Sequence, residues 1–333
     1  MIVAEVVLQQ SERIRRFGMW LSEFDDAPLW HRPKWLDATA GPGVWDVALL
    51  VRSGAIIAAM PYVLRHSRAL GVVPYSTIAT PPLTQALGPW WPNADDISLD
   101  ERFRRARELF EQLPRADAYV QNWVPEMDSW LPLHWDGYRQ TTRYTYRVSL
   151  RASYEERMQA VRSTVRNKLR KADRAGVSVE RMRDDNTGER LYRLIESTFR
   201  RQDLRVPYGT ELLDRILGLE GAGIEPRVYA AMLDGRAVAM TLVVAAGGVS
   251  YNLAQGSDDD GRATGAGQAL LWHAMNAEAE AGSSVFDFEG SMIQGVERHY
   301  RHLGGSPTSY NHVERFRRRD IRLGVALREA LRP

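Results

Sequence analysis

Basic side chains are most concentrated between Glu156 and Arg174, ERMQAVRSTVRNKLRKADR, where Arg162, Arg166, Arg170 and Arg174 stand four residues apart. Lys168 and Lys171, two of the chain's three lysines, fall in the same segment, while 41 of the 44 basic residues are arginines. On a helix this spacing gathers the guanidinium groups into one stripe, and like charges so placed repel one another. Such a stripe is either a solvated face or the seat of an anion. Arg matches a phosphate bidentately and Lys meets it as a point charge, so phosphates of a nucleotide, of coenzyme A or of tRNA are the candidate anions for Arg166, Lys168, Arg170 and Lys171.

A second segment, Arg262-Ala-Thr-Gly265-Ala-Gly267, follows an apolar strand-like run and opens a helical one. Glycines there let the backbone approach a pyrophosphate, and the N–H groups of a first helical turn attract it. A plain loop and helix start is the competing reading, and Asp258, Asp259 and Asp260 oppose an anion unless they point away. A third segment, residues 285–305, has a strand ending in Asp287, Phe288 and Glu289, then a Gly-containing turn leading to Arg298 and Arg301. A carboxylate at a strand end can accept a proton from an amine nucleophile, or simply pair with an arginine. The seven histidines (31, 66, 134, 273, 299, 302 and 312) form no H-E-x-x-H and no Ser-His-Asp context. His299 and His302 lack an evident third ligand, so no metal is expected. Nine of the ten tryptophans precede residue 136, and Trp90, Trp91, Trp123 and Trp130 lie close to prolines. They suit either an aromatic substrate wall or core packing.

The elements that must position these residues follow from periodicity. Ile14, Phe17, Leu21 and Phe24 predict a helix over 11–24, and a short helix holds Trp35 and Leu36. Two apolar runs about Ser53-Gly54 predict a β-hairpin over 45–64; Tyr75 to Pro92 reads as a Pro-rich loop. A helix over 101–113 and strands over 118–123 and 142–150 follow. Next come helices over 154–175 (stopped by Gly176), 188–200 and 209–218, then a three-stranded meander over 226–254 turning at Asp234-Gly235 and Gly247-Gly248. After a loop come a helix over 267–281, a strand over 284–288, a strand near 309–316 and an Arg-rich helix. The hairpins at Ser53-Gly54 and Asp234-Gly235 match, and each leads on to a helix and a strand. This pattern predicts a tandem α/β (α+β) duplication, residues 1–150 and 151–333, each unit a mixed, mainly antiparallel sheet flanked by helices.

With 333 residues, 44% of them hydrophobic, the chain has material for two cored units and is not a disordered or collagenous polymer. The absence of cysteine excludes disulfides, thiolate metal sites and a cysteine nucleophile, and fits a cytoplasmic protein. A net charge of +2 gives no reason to expect DNA binding. The start, MIVAEVVLQQ, is too short an apolar run for a signal segment, and no membrane span is expected.

Three segments resemble the Fem-type branch of the GNAT acyltransferase superfamily. Ser163 to Ala172, STVRNKLRKA, is similar to that branch's S-x-x-R-x-x-I-R-K-A helix; Gln140 to Arg147, QTTRYTYR, precedes it; and residues 286–305, FDFEGSMIQGVERHYRHLGG, follow its FDFxGS…GxxxFKxxFGG pattern. The resemblance implies two tandem GNAT units without the branch's coiled-coil arm. It also implies transfer of an amino acid from aminoacyl-tRNA to an amine of a small or peptide-like acceptor, with no further cofactor. The branch's Phe-Lys pair falls on His299 and Tyr300, which leaves Arg301 to stand in for the lysine; its acidic residue near Asn122 to Pro125 is absent. Arg262, Gly265 and Gly267 follow the R/Q-x-x-G-x-G/A spacing by which GNAT enzymes hold coenzyme A, so acyl-CoA is the alternative donor. A non-catalytic binder of phosphate ligands is the third reading. The chemistry expected is direct attack of a neutral amine on an ester or thioester, with Arg301 and backbone N–H groups on the oxyanion, Glu289 or the substrate taking the proton, Tyr300 beside them, and no covalent intermediate.

Overall fold

The computed structural model describes residues 9–69, 72–221, 223–290 and 292–330. The first described helix, α1 (Gln10–Leu21), buries Phe17, Trp20 and Leu21. Phe24, beyond its end, packs edge-on against Trp20 and Trp90. Helix α2 (Pro33–Thr39) takes Pro33 at its first position, where a missing N–H costs nothing, and buries Trp35 and Leu36 completely. Strands β1 (Trp45–Arg52) and β2 (Ala55–Ala69) form the expected hairpin; Ser53 and Gly54, at φ 50° and 83°, give the turn the twist of the strands it joins. Strand β3 (Val73–Ala79) pairs antiparallel with β2, so the segment read from Tyr75 as a loop starts as a strand and leaves the sheet before Pro81-Pro82. Helix α3 (Leu99–Glu111), capped by the Ser98 hydroxyl on the Glu101 N–H, then leads to β4 (Ala118–Asn122), parallel to β3. A short helix α4 (Leu131–Trp135) and strand β5 (Arg139–Ser149) follow.

The predicted helix over 154–175 is two helices, α5 (Tyr154–Ala160) and α6 (Ser163–Arg174). Between them Val161 is buried and extended, and the Arg162 N–H donates to the His302 carbonyl at 2.9 Å. Pinning one apolar residue into the core at that point outweighs helical continuity. Arg162 thereby becomes the extended N-cap of α6 instead of a residue within the helix, and Gly176 at φ 75° follows α6 as expected. Next come β6 (Ser178–Met182), an edge strand whose mostly polar pattern hid it, then α7 (Thr187–Arg200) and α8 (Thr210–Leu217). The meander is β7 (Glu225–Leu233), β8 (Arg236–Ala246) and β9 (Val249–Ser257), with Asp234-Gly235 and Gly247-Gly248 at positive φ. The next segment, expected as a loop, contains a helix, α9 (Asp259–Thr264), before α10 (Ala266–Glu280). Strand β10 (Val285–Asp287) lies parallel to β9, and α11 (Gln294–His302), β11 (Ser306–Phe316) and α12 (Arg319–Ala330) complete the described elements.

The chain divides into two units, residues up to Thr142 with those from Tyr310 onward, and Arg143–Ser309. In the first the strand order is β1-β2-β3-β4-β11; in the second it is β5-β10-β9-β8-β7-β6. Each contains an antiparallel meander, a crossover helix (α3 or α10) and a strand parallel to the meander's third. The neighbour of β4 is antiparallel β11, from the far end of the chain, and that of β10 is antiparallel β5, which opens its unit. The duplication is thus present, but the boundaries 1–150 and 151–333 are displaced, because the chain crosses between units inside β5 and again inside β11. In the second unit Val165, Leu270, Phe286 and Phe288 are among the buried core residues. Among the described residues no helix is long and apolar enough to cross a membrane.

Candidate active site

The second unit places the chemistry at the end of β10. Asp287 is fully buried and accepts from the Thr145 hydroxyl, from Arg147 Nε at 2.7 Å and from the Glu289 N–H at 2.8 Å. These contacts turn the chain sharply, since Glu289 and Gly290 both stand in the left-handed region, at φ 65° and 54°. Glycine is required at 290, where a side chain would strike the backbone of Tyr144 and Thr145. Burial raises the Glu289 carboxyl well above the usual carboxylate range; the negative charge of Asp287 adds to this and Arg147 opposes it.

Tyr300, on α11, stacks flat on Phe288 with ring centroids 4.8 Å apart. Its phenol is pushed up to about 12, by burial first and then by Glu289 and Asp287. The phenol oxygen is hydrogen-bonded to the side chain of Asn252, and the Asn252 Oδ1 accepts from the Thr241 hydroxyl at 2.6 Å. Asn252 and Thr241 are both buried. Sequence reasoning missed this pair, although a polar residue within a buried strand such as β9 is itself a signal. A carboxyl that holds its proton unusually tightly and an un-ionised phenol therefore occupy one strand end, an arrangement suited to proton transfer and to hydrogen bonding a developing oxyanion.

In the same unit a cleft of about 630 Å³ is lined by residues including Lys168, Gln255, Arg262, Gly267, Gln268 and His299. His299 precedes Tyr300 on α11, and its Nδ1 lies 3.4 Å from Gln268 Nε2. Burial, with the charges of Lys168 and His302, lowers its imidazole to about 4, so it is neutral near pH 7. Of the four residues assigned to phosphate from the sequence, Lys168 lines the cleft. Arg166 donates to the Val161 carbonyl, Arg170 bonds Asn167 Oδ1 at 2.9 Å, and Lys171 is exposed. At 100° per residue, Lys168 projects roughly 200° around α6 from Arg166.

The Arg262-Gly265-Gly267 segment differs from the expected cradle. Gly265, at φ 84°, separates α9 from α10, and a Cβ there would meet the Lys168 carbonyl at 2.8 Å. The Gly261 N–H is taken by Asp258 Oδ1 at 2.8 Å and the Arg262 N–H by the Asp258 carbonyl at 3.2 Å. Arg262 is exposed and stands 3.8 Å from Asp259, while Asp258 and Asp260 are tied to Arg236. The Asp258 carboxylate thus caps α9 at the Gly261 N–H, while the N-terminus of α10 at Gly265 has no side-chain cap. Arg301, expected at the oxyanion, is exposed and paired through Nε with Glu297 at 2.6 Å; Glu297 also accepts from the Tyr146 hydroxyl at 2.9 Å.

The profile of the acetyltransferase (GNAT) domain matches residues 159–301. Among solved structures, FemX superposes with a TM-score of 0.61 at 13% identity, covering 97% of this chain and 98% of that one. The C-terminal domain (DUF2156) of a putative lysylphosphatidylglycerol synthetase from Agrobacterium fabrum gives 0.58 at 16% identity, covering 97% and 96%. A tandem GNAT protein of the clavulanic acid biosynthesis pathway gives 0.50 at 11%, covering 92% and 95%. No curated protein matches the sequence. The chain thus shares the tandem GNAT fold of these structures, and at these identities the likeness concerns the fold.

Proposed function

We propose that this protein is an N-acyltransferase that moves an aminoacyl group from aminoacyl-tRNA to an amine of a small or peptide-like acceptor. The observation that carries the reading is the strand end at Glu289 in the GNAT-matched segment, where Tyr300 stacks on the adjacent Phe288 and burial raises the proton affinity of the Glu289 carboxyl. The neutral amine attacks the ester carbonyl and a C–N bond forms. Glu289, as carboxylate, takes the amine proton; as the C–O bond to the ribose breaks, that proton passes to the leaving oxygen. Tyr300 donates to the oxyanion in place of Arg301, whose guanidinium is engaged by Glu297. One such donor is worth about 3 kcal/mol. Lys168 faces the donor's terminal phosphate in the cleft.

Acyl-CoA is the less supported donor, because Arg262, the basic residue of its motif, is exposed beside Asp259, and Asp258 and Asp260 stand close by. The test is transfer of a labelled amino acid from charged tRNA to a panel of amines and amino-terminal peptides, run beside acetyl-CoA. Hydrolysis of the aminoacyl ester, with water as surrogate acceptor, gives a readout that does not depend on knowing the amine. Labelled amide from charged tRNA supports the proposal; amide from acetyl-CoA alone overturns the donor assignment.

A further inference from the structure

Helix α6 carries two basic faces. Lys168 enters the cleft, whereas Arg166, Arg170 and Arg174 run along the outer surface, a row about 12 Å long at 1.5 Å per residue. Several arginines on exposed helical faces sit beside carboxylates: Arg15 with Glu12, Arg104 with Glu101, Arg193 with Glu189, and Arg301 with Glu297. On the α6 row the one nearby carboxylate, Asp173, is paired with none of the arginines among the described residues. Arg166 is held by the Val161 carbonyl, Arg170 by Asn167, and Arg174 Nε by the Arg170 carbonyl at 3.2 Å. Among the described residues, none of Arg162, Arg166, Arg170, Lys171 and Arg174 forms an ion pair. The bond from the Arg162 N–H to the His302 carbonyl joins the row to the basic end of α11. There the charges of Arg301, Arg162 and Arg298 add to burial in lowering the His302 imidazole.

We infer that the outer face of α6, with Arg162 and Arg298, is a docking surface for the phosphate backbone of a base-paired RNA stem whose single-stranded 3′ end enters the Lys168 cleft. This rests on the aminoacyl-tRNA reading and adds a surface to it. A small anion in the cleft cannot engage side chains that project from the opposite side of the helix, whereas an extended polyanion reaches both. The exposed residues of the face are Arg162, Ser163, Asn167, Arg170, Asp173 and Arg174, four arginines to one carboxylate counting Arg166, with no exposed aliphatic or aromatic group to enter a bilayer.

The experiment is binding of uncharged tRNA by fluorescence anisotropy from 50 to 300 mM salt, comparing the wild-type chain with the triple variant Arg166→Gln, Arg170→Gln, Arg174→Gln and the single exposed reversal Arg170→Glu. Each lost phosphate contact flattens the plot of log affinity against log salt by about 0.9 on the duplex scale. The triple variant is expected to bind about tenfold more weakly or worse at 50 mM salt, with a slope shallower by roughly two to three. Arg170→Glu, at a position without core contacts, keeps the test valid if the triple variant does not fold. Unchanged affinity and slope overturn the inference, as does equal affinity for a DNA duplex, or binding to phosphatidylglycerol vesicles without binding to tRNA. Salt-sensitive RNA binding through the row without any aminoacyl transfer would sink the proposed activity and leave the surface. Transfer that is indifferent to the row would do the reverse.

Discussion

Asp287→Asn tests the strand-end geometry through two separate readouts. Asn keeps an oxygen that can accept from the Thr145 hydroxyl and the Glu289 N–H, but it removes the charge that Arg147 Nε meets at 2.7 Å. Removing one partner of a buried pair costs about 3–5 kcal/mol. The Arg147 side chain is 21% exposed while Asp287 is fully buried, so the lower end, about 3 kcal/mol, applies. For a domain of this size that is a fall in melting temperature of roughly 6–12 °C. The second readout is catalytic. Asp287's charge is one cause of Glu289's raised proton affinity, so its loss makes the Glu289 carboxylate easier to form. Activity that depends on that carboxylate climbs as pH rises through the raised value, and in the variant the climb begins at lower pH. Differential scanning calorimetry and a kcat/KM pH profile measure the two effects. An unchanged melting temperature together with an unmoved profile would refute the reasoning.

Glu289→Gln abolishes the rising limb of the pH profile and lowers kcat about 100-fold or more, as expected for a lost proton acceptor; single-turnover ester consumption reads this directly. Tyr300→Phe keeps the stack on Phe288 while removing the hydroxyl, and loses about 100-fold in kcat with KM little changed if that hydroxyl serves the oxyanion. Gly256→Ala places a methyl against the α7 backbone at Leu194 and Ile195, and is expected to cost about 1–3 kcal/mol in thermal unfolding.

Positive-φ hairpins are the part of the fold most legible in the sequence. Ser53-Gly54 and Asp234-Gly235 are local chemistry, and finding two of them at corresponding places exposed the duplication before any long-range contact was known. The strand-end placement of Glu289 was legible for a similar reason, since it lies at the edge of an apolar run, whereas helix α11 around Tyr300 was not, its sequence QGVERHYRH being almost wholly polar. Long-range pairing was not. Nothing local in Gln140–Arg147 says that this strand will lie beside β10, or that β11 will return to β4. The break at Val161 was hidden because both flanking segments favour helix, and a single buried side chain with one backbone bond to His302 decides it. The acidic run at Asp258 reads from sequence as an objection to an anion, but nothing local shows that Asp258 caps α9 while Arg236 pairs with Asp258 and Asp260. The arginine stripe was seen as one site; only the direction in which Lys168 projects separates cleft from surface.

The most direct test of the central claim is a single-turnover assay with tRNA charged with labelled amino acids, an amine panel and the wild-type chain, read by mass spectrometry for the new amide. The account predicts labelled amide from charged tRNA, no amide from acetyl-CoA, and loss of the product in Glu289→Gln. Amide formed from acetyl-CoA, or product formation indifferent to Glu289, would contradict it.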